Sequence, residues 1–252
     1  TENMTRTKFK DEVIWIIGAS SGIGRALAIE LANAGAHIVI SARRKEELEQ
    51  LKGELAGAPL VFTLDVTDSA MTIRTAHAIR AAAGRIDRVL FMSAAYTPMR
   101  LNALDLTISR NMVEVNLLGA LHVIHAVLPI LKEQTRGQIA LCSSVAGYVG
   151  LPGGQPYSAT KAAVTNLAES LQAECPSHIN VKLISPGFVR TPLTDKNDFS
   201  MPMILTPEHA AKEIAAGLQS KAFEIHFPKR FTSLLKLLRL LPYCIANPLS
   251  KR

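Results

Sequence analysis

The sequence predicts an α/β fold: one parallel β-sheet, doubly wound, with helices on both faces. Three observations carry that expectation. Short apolar runs alternate with longer helical patterns along the chain. The strand-like runs lack polar alternation, as strands covered on both faces do. The first run ends in a glycine-rich turn that opens a helix.

Taken in order, Val13–Ile17 reads as a buried strand. Ile23–Ala34 reads as a helix, with Gly35 where a C-terminal cap belongs. His37–Ser41 is the second strand, Lys45–Leu55 a charged amphipathic helix and Leu60–Asp65 the third strand. Ser69–Ala83 is helical, Arg88–Ser93 a strand and Leu106–Leu131 one long helical region. Ile139–Ser143, Tyr157–Glu174 and Val181–Ser185 continue as strand, helix, strand. Pro207–Gln219 is a helix and Phe223–Phe227 the last strand. No repeat, low-complexity tract or linker interrupts residues 1–228, which are read as a single domain, with 229–252 as a basic amphipathic extension.

At 252 residues, with 48% hydrophobic and 19% charged residues, the chain is long enough for one large core. No apolar run reaches the roughly 18 residues of a membrane span, and TENMTRTKFKDEV lacks the apolar stretch of a signal peptide. Three scattered cysteines, Cys142, Cys175 and Cys244, suggest neither disulfides nor a metal site and point to a reducing, cytoplasmic compartment. The net charge of +7 is concentrated after Glu224, the last acidic residue, where Lys229, Arg230, Lys236, Arg239, Lys251 and Arg252 follow. Neither a basic face interleaved with aromatics nor a known module supports nucleic-acid binding.

Gly18-Ala19-Ser20-Ser21-Gly22-Ile23-Gly24 follows the first strand. Its spacing is G-x-x-x-G-x-G, yet the logic is that of a dinucleotide cradle. Glycine permits the tight turn and close backbone approach, and the new helix offers free N–H groups to a pyrophosphate. The second strand ends Ile40-Ser41-Ala42-Arg43-Arg44, without the carboxylate that holds a ribose 2′-hydroxyl in NAD sites. Guanidinium groups pair with a 2′-phosphate instead, so the cofactor expected is NADP(H), with Ser41, Arg43 and Arg44 as contacts. Asp65, followed by Val66, stands where a carboxylate can accept a bond from the adenine amino group. It can equally cap the next helix, for which Asp68 and Ser69 are better placed.

Tyr157 and Lys161 lie one turn apart on one helix face. A nearby cation favours the phenolate and lowers the phenol's pKa from about 10, which fits proton exchange with a substrate oxygen. Thirteen positions earlier, Ser144 falls at the carboxyl edge of the sheet, where its hydroxyl can hold that oxygen. Ser143 is the neighbouring, less favoured candidate.

These motifs together resemble the short-chain dehydrogenase/reductase family over roughly residues 11 to 228: GASSGIG at Gly18–Gly24, Asp65, Asn116 in VEVNLLGA, SSVAG at Ser143–Gly147, YSATK at Tyr157–Lys161, and Pro186-Gly187 with Thr191 in SPGFVRT. The resemblance implies a Rossmann-type fold and an oxidoreductase interconverting a carbonyl and an alcohol. It implies Tyr157 as acid/base, Lys161 on the nicotinamide ribose, Ser144 as carbonyl holder and Asn116 as anchor of a relay water. It further implies that the segment Ile184 to Thr191, with Pro186, Gly187 and Val189, walls the nicotinamide, that Ala94 or a neighbour touches the adenosine ribose, and that the protein is a homodimer or homotetramer. One departure stands out: where the family carries N-N-A-G, this chain reads Ser93-Ala94-Ala95-Tyr96.

The alternative is a non-enzymatic NADP(H)-binding sensor or scaffold, which would have no use for Ser144, Tyr157, Lys161 and Asn116 together. His122 and His125, three apart on a helix, lack a third ligand nearby, and no metal is expected. Cys142 reads as a small core residue. Apolar residues between Gly187 and Pro207 favour a substrate with an apolar part. The leucine-rich segment 231–241 is expected to present one apolar and one basic face. It can lie on an anionic membrane, on the enzyme's own substrate site or on a partner subunit, with packing inside an oligomer favoured.

Overall fold

A computed structural model describes residues 9–150, 152–242 and 244–245. Lys251 and Arg252 of the basic tail, and residues 1–8 of the amino-terminal stretch, lie outside the described residues. The strands are β1 (Val13–Ile17), β2 (His37–Ala42), β3 (Leu60–Thr63), β4 (Arg88–Phe91), β5 (Gly137–Cys142), β6 (Ile179–Pro186) and β7 (Glu224–Phe227). They form one sheet in the order β3-β2-β1-β4-β5-β6-β7, with every pair parallel. The helices are α1 (Gly22–Asn33), α2 (Lys45–Glu54), α3 (Ser69–Ala83), α4 (Leu106–Val113), α5 (Gly119–Gln134), α6 (Tyr157–Glu174), α7 (Pro207–Leu218) and α8 (Lys229–Leu240).

The unalternating strands are explained by two cores. Ile14, Ile16, Ile38, Ile40 and Ile184 pack with α1, α2 and α7 on one face. Trp15, Ile17, Val39, Val89 and Val181 pack with α3, α5 and α6 on the other. Strand order reverses between β1 and β4, so the crevice for a ligand opens at the carboxyl ends of those two strands.

Local signals set the helix limits. Gly35 takes φ +91° and, with Ala36, closes α1 through bonds to Ala32 and Leu31, a left-handed cap that glycine adopts freely. Asp68 caps α3 by accepting from Met71 N at 2.8 Å, and Thr206 caps α7 in the same way. The long helix expected over Leu106–Leu131 is interrupted: Glu114–Leu118 forms a π-helical turn between α4 and α5. The whole rod, Leu106–Gln134, is 29 residues long and apolar enough to cross a membrane by length and composition, contrary to the expectation that no stretch would be. Its apolar stripe, with Val123, Val127 and Leu131, lies in the core against the sheet, as for a core helix of a globular domain.

The tail helix packs on the body. Leu235 of α8 is buried against Val145 and Tyr148, just past Ser144. Glu224 of β7 accepts from Lys236 at 2.5 Å and from the Tyr148 hydroxyl. The expected division into an apolar and a basic face does not hold, because Lys236 turns inward while Leu234, Leu237 and Leu240 stay exposed.

One expected cofactor contact is a core bond instead. The Ser41 hydroxyl is fully buried and accepts from Trp15 Nε1 at 2.9 Å, because β2 turns that side chain into the sheet face that Trp15 fills. Ser41→Ala and Trp15→Phe each leave a buried partner unsatisfied, at roughly 1–3 kcal/mol apiece. Denaturant unfolding of both single variants and the double variant is expected to show the double losing less than the sum of the two singles.

Candidate active site

The reactive side chains meet at the carboxyl edge of the sheet. Tyr157 opens α6, and Lys161 follows one turn later. Lys161 is 1% exposed, its Nζ donates to the carbonyl of Cys142 at 2.8 Å, and the ammonium lies 5.5 Å from the centre of the Tyr157 ring. Ser143 donates to the Lys161 carbonyl at 2.7 Å and bonds the Thr165 hydroxyl at 2.8 Å, so it pins β5 to α6 and is not a reacting group. Ser144 is the one left facing the phenol: its hydroxyl accepts from Ala146 N at 3.1 Å and hydrogen-bonds Tyr157. The turn after it lies flat on α6, since a Cβ on Gly147 would come within 2.8 Å of the Lys161 carbonyl carbon. Sequence reading missed that role for Gly147, which only the contact reveals.

Electrostatics depart from the expectation that Lys161 lowers the tyrosine's pKa. Burial is the largest influence and pushes the Tyr157 phenol well up, with Cys142 and Tyr96 adding to it and the Ser144 bond opposing. Burial also pushes the Lys161 ammonium down. The phenol is therefore held protonated through the neutral range, the form a proton donor needs.

Asn116 sits fully buried in the π-turn. Its amide is occupied: Oδ1 accepts from Ala95 N at 2.7 Å, and Nδ2 donates to Ala95 O and to Thr160 Oγ1, both at 3.0 Å. The side chain thus clamps the Ser93–Tyr96 segment. This clamp fixes the register of the segment in which the chain departs from N-N-A-G. Tyr96, unremarked as a site residue, stacks edge-on against Tyr157 at 4.8 Å. Its hydroxyl donates to Asn197 Oδ1 at 2.6 Å, while Lys196 donates to the Tyr96 carbonyl at 2.8 Å. The loop after β6 is thereby tied to the tyrosine pair.

The cradle fits a dinucleotide. Gly18 takes φ +92°, and a Cβ there would lie 2.6 Å from Ser93 N, so only glycine lets β1 turn against the end of β4. Gly24 approaches Gly18 O, where a Cβ would stand at 2.3 Å. Ser21, at the N-cap of α1, makes no capping bond with its side chain, which leaves the first-turn N–H groups of Gly22, Ile23 and Gly24 to an anion. Thr191 faces Gly22, 3.0 Å from where its Cβ would be. Pro186 is buried, Gly187 N donates to Phe227 O at 2.7 Å, and Thr194 bonds Val189 O at 2.7 Å to fold that wall.

Beyond β2, Arg44 reaches back to Ser20 Oγ at 3.0 Å and pairs with Glu47 at 3.1 Å. Arg43 is exposed and has no hydrogen bond or ion pair among the described residues. Asp65 Oδ1 accepts from Thr67 N and Oγ1, leaving Oδ2 open. Val66 is buried under Gly119, and Ala94 is partly exposed beside the clamp. His122 bonds the Val66 carbonyl at 2.8 Å, and His125 is exposed. Of the covering loop's apolar side chains, Phe199 and Met203 are half exposed, at 50% and 49%.

Comparison with known proteins agrees with this geometry. The family model described as short chain dehydrogenase matches residues 12–200. An uncharacterized oxidoreductase of Myxococcus xanthus is 33% identical over 238 residues, covering 93% of this chain and 92% of the relative. A short-chain dehydrogenase from Streptomyces avermitilis superposes with a TM-score of 0.84 at 25% identity, over 96% of both chains. An alcohol dehydrogenase from Thermococcus sibiricus, solved in complex with 5-hydroxy-NADP, superposes at 0.78 with 27% identity, over 86% of this chain and 96% of that one. With its fold, its cradle and its Ser-Tyr-Lys cluster in place, the chain belongs to the short-chain dehydrogenase family and is a nucleotide-dependent oxidoreductase.

Proposed function

We propose that this enzyme interconverts a carbonyl and an alcohol on an apolar substrate with NADP(H). The observation that carries the reading is the convergence of a partly buried Tyr157 with Ser144 and Lys161 at the carboxyl edge of the sheet. NADP(H) supplies or accepts the hydride. Tyr157 gives a proton to the substrate oxygen, which Ser144 holds in place. Lys161 keeps donors beyond the one bound to Cys142 O, and these serve the nicotinamide ribose. Asn116, whose amide reaches Thr160 of the reactive helix, is assigned to the proton relay.

Gly18, Ser20, Ser21, Gly22, Ile23 and Gly24 are assigned to the pyrophosphate and ribose, Asp65 Oδ2 and Val66 to the adenine, and Ala94 to the adenosine ribose. Pro186, Gly187, Val189 and Thr191 wall the nicotinamide. Choice of NADP(H) over NAD(H) rests on Arg43, exposed and without a partner among the described residues, and on Arg44 beside Ser20. The aromatic run Phe199–Phe188–Phe231, with ring centres 5.9 and 5.7 Å apart, supports an apolar substrate. Exposed Leu106, Val113 and Leu121 along the rod of α4 and α5 support a homodimer or homotetramer. Three free cysteines suit a reducing cytoplasm.

Tyr157→Phe is expected to lower turnover of an apolar ketone by about 10²–10⁴-fold while NADPH binding, read by fluorescence titration, persists. Turnover near that of the parent overturns the mechanism. Arg43→Ala and Arg44→Ala are each expected to weaken NADPH by at least about tenfold and NADH hardly at all; an equal effect on both cofactors removes the 2′-phosphate assignment. Tyr96→Phe keeps the ring on Tyr157 but releases Asn197. Steady-state kinetics should show KM raised by a few-fold, on the order of one lost hydrogen bond, with kcat little changed.

A further inference from the structure

Helix α8 has two faces, and only one is used by the fold. Inward, Thr232 and Leu235 are buried, and Phe231 and Leu238 pack beside Val145 and Tyr148. Lys236 is taken by Glu224. Outward, Leu234 and Leu237 are each 57% exposed and Leu240 is 80% exposed. Their spacing of three places them along one side of the helix. Lys229 and Arg230 are also exposed, and neither has an ion pair among the described residues, whereas Arg239 follows buried Leu235 by one turn and lies toward Tyr148. The nearest acid in sequence, Glu224, is already bound by Lys236 and Tyr148, and no Asp or Glu follows it. Exposed Ile245 extends the apolar row past the helix end.

We propose that this outward face of α8 docks the enzyme on an anionic lipid surface, with Leu234, Leu237 and Leu240 entering the headgroup boundary and Lys229 and Arg230 meeting acidic headgroups. Charge complementarity selects the occupant. A second copy joined by a two-fold axis would set this cationic face against itself, with no carboxylate from α8 or the segment after it to neutralise it. An anionic bilayer offers both what the leucines and what the cations lack. The helix is also held rigidly from behind, so it reaches the surface already folded and without an ordering penalty. The face adjoins the loop that covers the reactive residues, because Phe231 contacts Phe188 and Phe188 contacts Phe199. The docking itself does not depend on the reaction assigned above.

The test is flotation of the full chain with vesicles of phosphatidylcholine, alone or mixed with phosphatidylglycerol, at low and high salt. Binding is expected to be at least about tenfold stronger on the mixed vesicles and to fall with salt, as juxtaposed Lys and Arg contribute about fivefold each. Leu234→Ser/Leu237→Ser/Leu240→Ser should abolish it. Lys229→Gln/Arg230→Gln should reduce it by about 25-fold, and because those residues are exposed the variant keeps the parent's unfolding curve. If the leucine variant fails to fold, the charge variant carries the test alone. Absence of binding to mixed vesicles, or equal binding to neutral ones, overturns the proposal. So does a parent oligomer that dissociates in the leucine variant without any vesicle binding, which would make the face a subunit contact.

Discussion

The ammonium of Lys161 is almost entirely removed from water, and a buried charge of that kind persists only if the chain supplies it with partners. The Cys142 carbonyl at the end of β5 provides one, and this bond fixes how α6 sits against the sheet. Ser143 tightens the same junction by bonding the Lys161 carbonyl, and Gly147 lets the following turn lie against the helix backbone. With that junction closed, Ser144 and Tyr157 have little choice of position. The same burial that shifts the lysine down shifts the phenol up, so one packing arrangement sets both the geometry and the protonation of the cluster.

A second junction depends on the break in the long helix. The π-turn at Glu114–Leu118 carries Asn116 inward, where its amide clamps both sides of Ala95 and touches Thr160 of α6. The segment after β4 is thus held between the cradle at Gly18 and the reactive helix. Tyr96 extends this chain of contacts to the covering loop through Asn197 and Lys196. Phe188 carries it on to α8, whose inner face rests beside Ser144. Loop, tail helix and reactive side chains therefore form one connected set of contacts around a rigid sheet edge.

Much of the architecture was legible in residue order. Strand and helix periods, the caps at Gly35 and Asp68, and the extent of α3 and α6 follow from local preference, which acts over a few residues and is written there. The π-turn was not legible, because Glu114–Leu118 has the composition of ordinary helix, and its distortion answers to Ala95, twenty-one positions away. Ser41 was misread for a related reason: at the end of an apolar strand, only the neighbouring strand decides that its hydroxyl meets Trp15. The tail helix looked two-sided in sequence, but Glu224 draws Lys236 inward and leaves leucines outside.

The sequence by itself determined the α/β class, the glycine cradle between β1 and α1, the Tyr157–Lys161 spacing and the serine thirteen residues earlier. All of these are set by short-range spacing and by which residue types permit a turn or carry a titratable group. The tertiary structure alone decided which serine faces the phenol, that burial pushes the phenol's pKa up, that Asn116 clamps Ala95, and that Tyr96 and α8 frame the site. These depend on burial and on contacts between residues far apart in the chain, quantities that exist only once the sheet has brought its carboxyl edge together.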